Sequence, residues 1–181
     1  MMAADSYNIA KVNFLVIEDS EHMRSLIRNI LNALGAHLIR EARDVRGAYE
    51  LMGAFPIDIV ICDWQMAPVS GLDFVKELRT NKESPYRFMP IIMLTAHSEM
   101  RRVTESRDAG VSEFVIKPIS AKTLYTRIRE IIKNPRPFIE TEDYFGPDRR
   151  RKQTKYNGAE RRAGKPTAEP SGDEVKALLN G

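Results

Sequence analysis

The 181 residues include one cysteine, one tryptophan and three histidines. A lone Cys62 rules out an internal disulfide framework and fits a reducing compartment. It lies in the apolar run Ile57–Cys62 and reads as a small buried hydrophobe. His22, His37 and His97 show no ligand spacing, so they read as surface or helix-capping residues rather than a metal centre. No apolar run approaches the roughly 20 residues that span a bilayer. Asp5 falls within the first six residues and no apolar core follows it, so neither a signal peptide nor membrane insertion is expected, and the protein is expected in the cytoplasm.

The excess of positive over negative charge is small overall and concentrated locally. The formal net charge is +3 and the hydrophobic fraction 43%. That balance suits one folded domain with an extension and implies no polyanionic partner for the chain as a whole. From Tyr144 to Lys165, however, eight Lys/Arg stand against Asp148 and Glu160, a local excess of +6.

Residues 12–133 alternate between strand and helix signals. "VNFLVIED", "HLIREA", "IDIVICD", "MPIIMLTA" and "SEFVIKP" are short β-rich runs. Between and after them stand helical patterns: Met23, Ile27, Ile30, Leu31 and Leu34 closed by Gly35, then "RGAYELMGA", then Phe74, Val75 and Leu78, then "EMRRVTESRDAG", then "SAKTLYTRIREIIK". Five βα units with continuous apolar strands predict an α/β fold, a doubly wound five-stranded parallel sheet covered on both faces.

In such sheets ligands sit beyond the carboxyl ends of the strands, at the point where the strand order reverses. Those ends carry Glu18 and Asp19, then Asp63, Thr95 and Lys117. One acid after a strand is ordinarily a helix N-cap. Three carboxylates converging on one crevice repel one another and call for a hard, oxygen-loving cation such as Mg²⁺. A lysine and a hydroxyl on the opposite rim suit the oxygens of a phosphoryl group.

With these residues in place, the segment resembles the receiver domain of two-component response regulators and is similar to the CheY-like receivers. The stretches that carry the likeness are "FLVIEDSEHMRSLIRNIL", "IVICDWQMAPVSGLDFV", "PIIMLTA" and "FVIKP". The resemblance implies a flavodoxin-like strand order and Asp63 as a phosphoacceptor, attacking a phosphohistidine or a small acyl phosphate. It implies Mg²⁺ held by Glu18, Asp19, Asp63 and the backbone carbonyl of Gln65. Lys117 would pair with the phosphoryl group and Thr95 would swing in to bind it, with Phe114 in the place of the family's rotating aromatic. A cis Lys117–Pro118 bond and a histidine kinase or phosphotransfer protein as donor follow from the same resemblance. No enzymatic activity is expected beyond self-phosphorylation and self-dephosphorylation. The family's usual Met-Pro after the phosphoacceptor is here Met66-Ala67-Pro68, so this loop departs from the family pattern; Phe114 lacks a tyrosine's hydroxyl, and Trp64 is expected half exposed beside the metal.

After Lys133, "NPRPF" ends the last helix and periodicity stops. The expected organisation is a receiver at 10–134, an arginine-rich flexible tail at 135–170 and a short docking peptide at 171–181. Within the tail, Tyr-x-Gly-x-Asp-Arg-Arg (Tyr144–Arg150) recurs after twelve residues as Tyr-x-Gly-x-Glu-Arg-Arg (Tyr156–Arg162). A repeat suits a ligand with two similar halves. Arginine can bind guanine O6 and N7 or phosphate, a carboxylate can accept from guanine's N–H groups, tyrosine can stack, and glycine allows close approach. A compact ligand with two guanines and two phosphates is cyclic di-GMP. A solvated basic tail, or a contact with RNA or anionic lipid, would use the same charge, although no RNA-binding fold is present.

The pattern resembles the arginine-rich tail of the CheY-like cyclic-di-GMP effectors of flagellated bacteria. It implies Tyr144, Asp148, Arg149, Arg150, Arg151, Tyr156, Glu160, Arg161 and Arg162 as the ligand set. "SGDEVKALLNG" then opens with a capping box from Ser171 to Glu174 and sets Val175, Leu178 and Leu179 on one helical face. It resembles the CheY-binding peptide of the flagellar switch protein, so Glu174, Val175, Leu178 and Leu179 are expected to dock on a receiver. The expected whole is a monomeric signalling protein that binds cyclic di-GMP and acts on the flagellar motor, recruited to the flagellar pole. The alternative is a single-domain regulator controlled by Asp63 phosphorylation alone.

Overall fold

Five short strands build the sheet: β1 (Asn13–Ile17), β2 (Leu38–Ala42), β3 (Ile59–Asp63), β4 (Ile91–Thr95) and β5 (Glu113–Ile116). The structure, a computed structural model, describes residues 7–96, 104–105, 107–149 and the backbone of 165–166. All pairings in this sheet are parallel and the order is β2-β1-β3-β4-β5, as the apolar runs predict.

Side-chain alternation explains why both faces need a cover. Leu15, Ile17, Val60, Cys62, Ile91 and Met93 enter one core with residues of α2 (Val45–Ala54) and α3 (Gly71–Thr80). Phe14, Val16, Ile59, Ile61, Ile92 and Leu94 enter the other with α1 (Glu21–Ala33) and α4 (Ala121–Lys133). Each helix starts where a side chain accepts its orphan N–H: Ser20 from Met23, Asp44 from Gly47, Ser70 from Asp73 and Ser120 from Thr123. Such caps stabilise a helix by about 1 kcal/mol each. Gly35 at φ +93 closes α1 as expected. Half of the stretch "EMRRVTESRDAG" lies outside the described residues; within the described half, Thr104, Glu105, Arg107 and Asp108 are helical, as expected. No described helix is long and apolar enough to cross a membrane.

The main departure from expectation begins after Lys133. Rather than lacking structure, Phe138–Thr141 (β6) and Tyr144–Pro147 (β7) form an antiparallel hairpin across the two-residue turn Glu142–Asp143. Lys165–Pro166 (β8) pairs with the other edge of β6. Phe138 and Phe145 are buried, and both rings pack edge-on against Phe88 with centroids 5.3 Å apart.

The hairpin sits on residues that precede β4 and β5. Arg79, at 2% exposure, donates to the carbonyls of Gly110, Arg87 and Met89, and its guanidinium lies 5.1 Å from the Phe138 ring centroid. Arg87 stacks 3.4 Å above Phe145 and pairs with Glu140. The hairpin therefore caps the amino ends of these strands, the pole opposite Asp63. A lone two-stranded hairpin is marginal in water, and this one is stable because it buries its aromatic face on the domain.

Candidate functional site

The order β2-β1-β3 reverses direction at β1 and β3, and the carboxyl ends of those two strands flank the crevice. Glu18 follows β1 and is buried, Asp19 is exposed, and Asp63 ends β3 at 5% exposure. One carboxylate oxygen from each lies within 4.8 Å of the others. Arg24 fixes the loop by donating to the carbonyls of Glu18 (2.7 Å) and Asp19 (3.1 Å).

Asp63 is held by its backbone. Trp64 N–H continues the ladder to the Leu94 carbonyl at 2.9 Å, and Gly71 N–H donates to the Trp64 carbonyl at 3.0 Å. A Cβ on Gly71 would overlap the Asp63 carbonyl oxygen, so α3 can start this close to the strand end only with glycine there. Trp64 itself is buried at 7% exposure, not half exposed. The ladder turns its ring into the α2–α3 core beside Met66 and Leu72. Gln65 follows on the exposed side, and the Met66-Ala67-Pro68 loop contains a cis Ala67–Pro68 bond.

Lys117 closes the site from the far rim. Its Nζ lies 2.8 Å from Asp63 Oδ1 and 3.0 Å from Glu18 Oε2. Its backbone N–H donates to the Thr95 carbonyl at 2.7 Å, and Lys117–Pro118 is cis as expected. Burial pulls the ammonium's pKa down, but hydrogen bonds and charge from Asp63 and Glu18 outweigh burial and raise it, so the lysine stays charged. Burial pushes the Glu18 carboxyl up, the Lys117 hydrogen bond opposes this, and the Asp63 charge adds to the rise. Thr95 is buried at the end of β4, and Phe114 is half-buried with the Arg127 guanidinium 5.8 Å from its ring centroid.

Three carboxylates against one ammonium leave a surplus of negative charge. Each like-charge pair at this spacing costs on the order of 3 kcal/mol at an effective dielectric near 20. An all-oxygen donor set with one exposed member fits a hard divalent cation that keeps water ligands, so the residues suit Mg²⁺.

The first tail repeat is part of the fold from Tyr144 to Arg149. Tyr144 donates its hydroxyl to the Pro147 carbonyl at 2.8 Å, and burial raises its pKa against the opposing charges of Arg149, Arg79 and Arg136. Arg149 stacks 3.8 Å above the Tyr144 ring and pairs with Asp108 at 3.1 Å. Asp148 N–H donates to the Pro137 carbonyl, and Arg136 reaches the Asp148 carbonyl at 3.3 Å. The glycine expected to let a ligand approach, Gly146, instead lets the hairpin approach Gly110. Arg150, Arg151, Tyr156, Glu160, Arg161 and Arg162 lie outside the described residues, as do Glu174, Val175, Leu178 and Leu179.

Sequence reading missed Arg79, Arg87, Glu113 and Arg136. Buried guanidiniums have no periodic signature, and their one hint is the aromatic alternation of Phe138, Tyr144 and Phe145 around Glu142–Asp143.

Residues 14–129 match the family model of the response regulator receiver domain. The chain is 30% identical over 122 residues to chemotaxis protein CheY-3 of Vibrio cholerae, covering 67% of this chain and 92% of that protein. It is 29% identical to chemotaxis protein CheY of Pseudomonas aeruginosa, covering 67% of this chain and 97% of that protein. Among solved structures it is similar to CheY4 of Vibrio cholerae, at 28% identity and a TM-score of 0.60 over 66% of this chain and 98% of that one. The family match ends before β6, so the hairpin lies beyond it.

Proposed function

This chain belongs to the response regulator receiver domain family, and from that premise we propose that it is a chemotaxis-type signalling protein with two inputs, a phosphoryl group on Asp63 and cyclic di-GMP on the tail. The observation that carries the first is the Lys117 ammonium bridging Asp63 and Glu18 at the switch point of the sheet.

A carboxylate oxygen of Asp63 attacks the phosphorus of a phosphohistidine or a small acyl phosphate. The bond from phosphorus to the donor's nitrogen or oxygen breaks, and its electron pair leaves with the donor. Lys117 can move from the free carboxylate to the phosphoryl oxygens, and Thr95 supplies a hydroxyl from the neighbouring strand end. Water later cleaves the aspartyl phosphate, releasing inorganic phosphate and restoring the carboxylate. Glu18, Asp19, Asp63 and the Gln65 carbonyl would hold Mg²⁺, which when bound supplies positive charge against the phosphoryl oxygens.

Support for the second input is the Tyr-x-Gly-x-acid-Arg-Arg repeat and the stacking of Arg149 on Tyr144 beside Asp148. An arginine–aromatic platform of this type suits a guanine and its phosphate. Arg150, Arg151, Tyr156, Glu160, Arg161 and Arg162 complete the ligand set. The docking peptide at 171–181, through Glu174, Val175, Leu178 and Leu179, then addresses the flagellar motor switch or another receiver. The names of the curated relatives, chemotaxis proteins, favour that output.

Calorimetry with cyclic di-GMP tests this reading. Micromolar or tighter binding is expected, lost in Arg161→Ala and kept in Asp63→Asn. Failure of the native chain to bind would leave the second reading, a regulator driven by Asp63 alone. That reading is favoured by the first repeat's commitment to Pro147, Asp108 and Gly110.

A further inference from the structure

Strand β5 joins the two poles of the domain. Lys117 follows it at the acidic crevice, and Glu113 begins it at the hairpin, four residues and about 13 Å away at the usual strand rise. The Glu113 carboxylate is 8% exposed and shared between two arginines: Oε2 lies 3.3 Å from Arg127 of α4 and Oε1 3.2 Å from Arg136 at the entry to the hairpin. Arg136 in turn holds the carbonyl of Asp148, the residue before Arg149, and Arg127 faces the Phe114 ring. A continuous line of contacts thus runs from Asp63 through Lys117, along β5 to Glu113, and through Arg136 to the first arginine of the repeat.

Closure of the hairpin does not require this line, because Phe138, Phe145 and the Gly110–Gly146 contact already dock it. What Glu113 adds is an ion-pair link whose two halves lie on different elements, Arg127 on the domain's own helix and Arg136 at the entry to the extension. β5 is paired residue by residue to β4 from Glu113 to Ile116, so Glu113 and the residue before Lys117 lie on one hydrogen-bonded strand.

We propose that Glu113 is a positioning residue through which the phosphoryl state of Asp63 controls how Asp148 and Arg149 are seated on the domain. This rests on the receiver reading given above for Asp63. Loading Asp63 draws Lys117 toward the new phosphoryl oxygens, β5 follows, and the Glu113–Arg136 contact is the one that yields.

Amide hydrogen exchange on the full chain, with and without Mg²⁺ and beryllium fluoride as phosphoryl analogue, tests the idea. In the native protein the β6–β7 amides change exchange rate by about fivefold or more, the lower range of ordinary coupling between sites. Glu113→Gln abolishes that response, and so does Arg136→Gln, which leaves the Glu113–Arg127 pair intact. Glu140→Gln, a hairpin acid that pairs with Arg87 and Lys82 away from β5, retains it. A hairpin that stays unchanged while the β4–β5 amides respond overturns the coupling alone, as does a response that survives in both Glu113→Gln and Arg136→Gln. Silence of the β4–β5 amides in the native protein overturns the receiver reading and the coupling with it.

Discussion

Gly146 lies directly against Gly110: a Cβ built on Gly146 would come within 2.8 Å of the Gly110 Cα. A Cβ on Gly110 would come within 2.9 Å of the Phe145 carbonyl oxygen, and Gly110 also holds φ at +90°. The hairpin and the receiver therefore meet backbone to backbone.

Gly110→Ala is expected to lower stability by roughly 1–3 kcal/mol, from contact and positive φ together. Gly53→Ala serves as a contrast. Gly53 lies within α2 with nothing in reach of a Cβ, and the change there should raise stability by about 0.5–1 kcal/mol. Denaturant unfolding of both variants checks the pair, and equal effects would mean that the Gly110 contact is unimportant.

Phe138→Ala removes a ring packed on Phe88, Phe145 and the Arg79 guanidinium. A loss of about 3–5 kcal/mol is expected, as for a buried aromatic in a core. If the extension were a passive tail, the cost would stay within about 0.5 kcal/mol, the range for surface substitutions.

The hairpin should also loosen in acid. A hydrogen bond from Arg87 is the main cause that holds the Glu140 carboxyl below its ordinary value of 4.5, helped by Lys82. Between that value and the lower folded one, the unfolded chain binds more protons, so stability rises with pH. The contribution is present above pH 4.5 and is lost as pH falls through the folded value. Thermal unfolding across this window should show a shallower slope in Glu140→Gln than in the native chain.

Asp63→Asn should have opposite effects on stability and function. Removing one of three converging carboxylates relieves repulsion and is expected to raise metal-free stability by about 1 kcal/mol. The same change abolishes phosphoryl uptake from an acyl phosphate. Retained uptake, read by intact mass, would show that another group accepts the phosphoryl.

The receiver's layout and its acidic crevice were legible in the chain because both follow from local pattern. Strand period and helix period place every strand end, and Glu18, Asp19, Asp63, Thr95 and Lys117 are each the residue at or just after such an end. Trp64, expected half exposed beside the metal because it adjoins Asp63, is instead buried, and the β3–β4 ladder continues one residue further to its N–H.

The hairpin could not be read in the same way. Its four-residue strands are too short to announce a period, and their stability comes from partners tens of residues away: Arg79, Arg87, Phe88 and Gly110. Sequence alone determined the doubly wound sheet, the chemistry at its strand ends and the existence of an arginine-bearing repeat. Tertiary structure decided that Tyr144–Arg149 of the first copy is built onto the domain, at the pole opposite Asp63. The physical reason is that burying Phe138 and Phe145 against stacked guanidiniums depends on surfaces that exist only once the receiver has folded.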